Sequence, residues 1–115
     1  MALRAKRVYE PPAPEDGVRV LVDRLWPRGL SKEKARIDWW AKELAPSDAL
    51  RRFFAHDPQR YREFLQRYQE ELKGNPALER LRALSREKTV TLLFGAREER
   101  YNNARALLKI LRQEP

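Results

Sequence analysis

Within seven residues, Asp23-Arg24-Leu25-Trp26-Pro27-Arg28-Gly29 holds a carboxylate, two guanidinium groups and an indole. Two guanidinium groups so close together suit planar, bidentate capture of a phosphate or a carboxylate. Asp23 can orient one of them, or serve as a base if burial raises its pKa. A structural ion pair between Asp23 and Arg24 or Arg28, with Trp26 filling core, accounts for the same residues equally well. A second group lies near the far end of the chain, where Arg97, Tyr101, Asn102 and Asn103 fall together. Arg and amide side chains ahead of a helix make an anion site. The commoner use of Asn in that place is to cap the helix.

Other chemistries have little to work with. The chain has no Cys, which excludes disulfides, thiolate nucleophiles and thiolate metal sites. Its one imidazole, His56, precedes an Asp57-Pro58 cap, so a surface or capping role outweighs a catalytic one. A serine triad would have to use that ring with Ser31, Ser47 or Ser85, each of which has a simpler task at a helix end or in a loop. None of the four Gly stands in G-x-G or Walker spacing, so no cofactor loop is expected, and no metal set is expected either. Trp39 and Trp40, beside Ile37, read as packing rather than as a base-stacking platform.

The elements that must position these groups follow from spacing. Leu3 to Val8 is polar and weakly patterned, as an edge strand would be, and its direction is left open. Pro11, Pro12 and Pro14 make the following connection extended as far as Asp16-Gly17. Val18 to Asp23 reads as a central strand, with Val18, Val20 and Val22 on one face and Leu21 on the other. Ser47 caps a helix over 48–55, and Asp57-Pro58 starts another that ends at Gly74. Along that helix Tyr61, Phe64, Leu65, Tyr68 and Leu72 form one apolar stripe. Asn75-Pro76 opens a shorter helix, and Thr89 to Phe94 is a second buried strand. The closing helix, with Ala104, Leu107, Leu108 and Leu111 on one face, starts near Glu98 or is capped by Asn102.

Buried strands separated by helices imply an α/β fold, a small and mostly parallel sheet flanked by helices in a three-layer, Rossmann-like single domain over 1–115. In such a sheet the loops leaving the carboxyl ends of the strands line one crevice, and ligands bind there. The loop from Arg24 to Gly29 and the loop from Gly95 to Asn103 would meet in it.

The string Arg19-Val20-Leu21-Val22-Asp23-Arg24-Leu25-Trp26-Pro27-Arg28-Gly29 is the most specific sequence feature. Trp40, Lys42, Ala45-Pro46-Ser47, Leu50-Arg51, Leu92-Leu93, Ala96 and Asn102-Asn103-Ala104 follow it in order. With these residues the chain resembles, over essentially its whole length, the YeaO-like branch of the domain-of-unknown-function 488 family. The resemblance implies a small α/β domain and no particular activity. The polar residues that match are Asp23, Arg24, Arg28, Lys42, Ser47 and Asn102. The chain departs at Arg97-Glu98, where relatives tend to have Lys with Asp or Asn, and at Asn103, where many have His. The departure at Asn103 removes a ring that could act as acid or base, which weakens a catalytic reading.

The formal charge is +8, from 25 Lys and Arg against 17 Asp and Glu. Dispersed helix-surface charge explains most of this, and it also favours contact with anions. The expected partner is a small anionic ligand held where the two loops meet, by Asp23, Arg24, Trp26, Arg28, Arg97, Asn102 and Asn103, with Lys42 added by the resemblance. A nucleic-acid-binding role for basic helix faces is the alternative. The charged start MALRAKRVYE and the lack of any long apolar run imply no leader and no membrane span, hence a cytoplasmic protein.

Overall fold

Val18, Val20 and Val22 alternate with Arg19 and Leu21, and Val90, Leu92 and Phe94 alternate with Thr91 and Leu93. Strand geometry sends each set to its own face of a sheet. The computed structural model, which describes residues 2–113, shows that sheet. Strands β1 (Leu3–Arg7), β2 (Val18–Leu21), β3 (Trp39–Trp40) and β4 (Val90–Phe94) run in the order β1-β4-β2-β3. Every pairing is parallel, with Leu3 and Val18 both opposite Val90 and Val20 opposite Trp39. The fold is therefore α/β, a small all-parallel sheet with helices in one domain. The first strand lies at an edge and runs parallel to the rest. The second lies inside the sheet, as its all-apolar face requires.

Among the described residues there are five α-helices: α1 (Lys32–Ala35), α2 (Asp48–Phe54), α3 (Tyr61–Leu72), α4 (Pro76–Glu87) and α5 (Asn103–Gln113). Ser47 accepts a hydrogen bond from Leu50 N (3.2 Å), Asp57 one from Gln59 N (3.0 Å) and Asn75 one from Ala77 N (2.9 Å). Each satisfies an amide that a helix start leaves without a partner. The Asp57-Pro58 start first makes a 3₁₀ turn, Pro58–Arg60, before α3 begins. Gly74 takes a φ of 75° beyond the end of α3, a conformation that suits a residue without a Cβ. The helix opened by Asn75-Pro76 is not shorter than its predecessor: both have 12 residues, because Leu81 and Leu84 prolong the apolar face by a turn. Asn102 caps α5, its Oδ1 accepting from Arg105 N at 2.9 Å, which places the start of that helix after the loop.

Burial is uneven across the sheet. Val20, Val22, Val90, Leu92 and Phe94 join apolar residues of α2, α3, α4 and α5 in one large cluster. Leu21, Leu93 and Val8 form a small cluster on the other face, covered by Trp26, Leu30, Ile37 and Trp40. Trp39-Trp40 thus does pack, but as a two-residue edge strand, too short to leave a periodic signal.

Candidate functional site

Parallel strands end on the same side, and the carboxyl ends of β2 and β4 are adjacent. Asp23 follows β2 and its carboxylate is stitched to the end of β4. Its Oδ2 accepts from Gly95 N (2.7 Å) and its Oδ1 from Asn103 Nδ2 (2.9 Å), which also donates to Val22 O (2.7 Å). Strand β2, strand β4 and the first turn of α5 are tied together at one carboxyl group. A Cβ on Gly95 would stand 3.3 Å from Asp23 Oδ2, so glycine lets the carboxylate approach. Burial pushes the Asp23 carboxyl above its ordinary pKa, while the bonds from Asn103 and Gly95 and the charges of His56 and Arg51 oppose the rise.

The loop after Asp23 is pinned through its backbone. Trp26 Nε1 donates to Leu30 O (2.6 Å), Trp40 Nε1 donates to Asp23 O (2.9 Å), and the two indoles meet edge to face at 5.3 Å. Tyr9 Oη donates to Arg28 O (2.8 Å). The Arg28 guanidinium makes no ion pair or hydrogen bond among the described residues and lies exposed. Arg24 donates to Pro46 O (3.2 Å), and its Nε lies 3.7 Å from Asp48 Oδ1. Arg51 reaches the same oxygen at 3.3 Å. Two guanidinium groups thus converge on one exposed carboxylate.

His56 comes in from the end of α2. Ala55 and His56 both take left-handed conformations, at φ 45° and 56°, which non-glycine residues rarely do. The turn sets His56 Nδ1 2.9 Å from Tyr101 O. A carbonyl only accepts, so Nδ1 carries the proton and donates. The imidazole is thereby held by the loop that precedes α5.

These groups surround a cavity of about 330 Å³. Asp23, Arg24, Trp26, Arg28 and Asn103 line it, together with Arg51 and His56. Tyr9, Pro46, Phe54 and Phe64 add apolar and aromatic wall. Three residues of the sequence-derived set lie outside the lining. Lys42 Nζ stacks over the Trp40 ring at 3.9 Å, Asn102 is buried in its cap, and Arg97 is exposed in the loop after β4. Arg51 escaped the sequence reading because a helix arginine three residues after an Asp looks like a surface pair. His56 was visible as the one imidazole but carried no signal of its direction. Among the described residues no group of three or more His, Cys, Asp or Glu is placed to hold a metal, and no helix is long and apolar enough to cross a membrane.

Fold and cavity together define a parallel α/β domain with a ligand-sized recess at the carboxyl ends of its inner strands. The chain belongs to the domain-of-unknown-function 488 family: residues 2–115 match the branch described as the inactive DUF488-N3 subclade. It is 44% identical over 109 residues to uncharacterized protein Rv3073c of Mycobacterium tuberculosis (strain ATCC 25618 / H37Rv), covering 95% of this chain and 92% of that one. It is 39% identical over 113 residues to uncharacterized protein YeaO of Escherichia coli (strain K12), covering 97% and 98%. No solved structure gives a significant match.

Proposed function

We propose that the protein binds a small anion, a phosphate or carboxylate compound, in the cavity at the strand ends. The observation that carries the reading is Arg28: an exposed guanidinium without a partner among the described residues, held by its pinned backbone at the rim of a 330 Å³ recess. Arg24 and Arg51 add a pair that already grips a carboxylate, that of Asp48, and an incoming acid would meet the same donors. Asp23 and Asn103 hold the strand ends and give the recess its floor. The description of the family branch as inactive favours binding over turnover. The neighbourhood supports this too, since both oxygens of Asp23 are already engaged by fixed donors.

Phosphate or sulfate should raise the melting temperature of the parent protein through preferential binding to the folded state. Arg28→Ala keeps the backbone carbonyl that Tyr9 grips, so it should melt at the parental temperature without the anion and lose most of the anion-dependent rise. Equal rises in mutant and parent would refute the assignment.

A further inference from the structure

We infer that the ligand of this cavity is a small aromatic acid, with one acid group for the arginines and one flat ring for the wall beside them. The inference rests on the reading of the cavity as an anion pocket and names the kind of molecule it takes. Among the described residues the exposed large apolar side chains are Leu25, at 67% exposure, and Tyr9, at 40%. Both line this cavity. Exposed apolar surface gathered at one recess marks a place where something apolar is covered. Deeper in the lining stand the rings of Trp26, Phe54 and Phe64 and the ring of Pro46, with Phe54 and Phe64 stacked at 4.1 Å.

A bare inorganic anion would satisfy the arginines and leave Leu25, Tyr9 and the half-buried Trp26 facing water, above the already buried Phe54 and Phe64. An aromatic acid removes both kinds of surface from water at once. Rings suit the site better than flexible chains, because aromatic faces and guanidinium planes stack. Size agrees: 330 Å³ is about twice the ~150 Å³ cavity that binds benzene, which leaves room for one ring and an acid group. A second acid group would meet the carboxylate of Asp23, which disfavours diacids.

Two matched pairs of probes test this on the whole protein by calorimetric titration: phenyl phosphate against inorganic phosphate, and benzoate against acetate. In at least one pair the aromatic member should bind about 10-fold tighter or more, equivalent to roughly 1.4 kcal/mol. The pair that responds tells a phosphate ester from a carboxylic acid. Leu25→Ser removes an exposed side chain, so its melting temperature should match the parent's, and it should lose much of the aromatic preference without changing the Kd of the bare anion. Equal Kd values within both pairs, or a preference unchanged by Leu25→Ser, would overturn the inference and leave the anion pocket standing. No binding by any of the four probes would overturn both.

Discussion

Asp48 sets how much positive charge the recess presents, because its Oδ1 is shared by Arg24 and Arg51 at 3.7 and 3.3 Å. All three side chains are largely exposed, and exposed pairs of this kind contribute only about 0–1 kcal/mol, so an anionic ligand can displace the carboxylate. Asp48→Asn should release both guanidinium groups and tighten phosphate binding roughly two- to fivefold, the factor such a pair is worth. Titration calorimetry checks this, and unchanged or weaker binding would show that these arginines do not meet the ligand. Much of this local chemistry was legible in the residues. Asp23-Arg24-x-Trp26-x-Arg28 announced a cluster because charged and aromatic groups interrupt a strand exit, and five residues of the set proposed from sequence do line the cavity. What could not be read was partnership: only coordinates show that Asp23 accepts from Gly95 and Asn103, 72 and 80 positions away, rather than pairing with an arginine.

Strand β2 owes its seat to a charge that its apolar pattern conceals. Arg19 is 4% exposed and Asp16 3%, and their side chains meet at 2.6 Å. Arg19 also donates to Ala35 O (2.8 Å) and Arg36 O (3.1 Å), filling the carbonyl end of α1, while Lys6 of β1 reaches Asp16 at 3.1 Å. The ladder is thus tied to the elements on its thinly covered face. Burial alone would raise the Asp16 carboxyl, but bonds from Ala13 N, Lys6 and Arg19 outweigh it and hold the pKa below the ordinary 3.8. A carboxyl lowered on folding stabilises the protein above its ordinary pKa, and that stability is lost as pH falls through the lowered value. Asp23, with its pKa raised, acts in the opposite sense: its contribution falls as pH rises from the ordinary value to the raised one. Asp16→Asn should therefore flatten the acid limb of the stability curve below about pH 4. It should also cost about 3–5 kcal/mol at neutral pH by leaving Arg19 buried without its counter-charge. Urea unfolding across pH checks both, and an acid limb unchanged by the substitution would place its origin elsewhere. Helix starts and the two inner strands were readable because caps and period-two alternation are local signals. Arg19 was not recognised as buried, although a charge inside an apolar strand is itself a sign of a buried partner. Two-residue β3 was unreadable, since its pairing with Val20 and Leu21 is purely tertiary.

The +8 charge of the chain is spread rather than concentrated. Arg82 faces Glu79 at 2.7 Å and Arg67 pairs with Glu63, each three or four residues apart on its helix, and Arg60 faces the cap residue Asp57 at 3.7 Å. Such pairs take up part of the charge on the helix faces, while Arg52, Arg62 and Arg86 there and Arg28 at the strand ends lie exposed with no ion pair among the described residues. Helices α2 to α5 pack on one face of the sheet, with α1 tied to Arg19 on the other, while the loops at its carboxyl edge carry the exposed Arg24, Leu25 and Arg28. Fold class followed from element order alone, and the position of the recess followed from parallel topology. Its contents depended on how α2 and its left-handed exit at Ala55 and His56 turn inward, which no residue spacing discloses. The most direct measurement is a ¹⁵N-resolved NMR titration of the parent protein with inorganic phosphate. Saturable amide shifts are expected at 24–26, 28, 47–51, 56 and 95–96, all lost in Arg28→Ala. Shifts absent from those residues, or scattered evenly over the basic helix surfaces, would contradict binding in the recess.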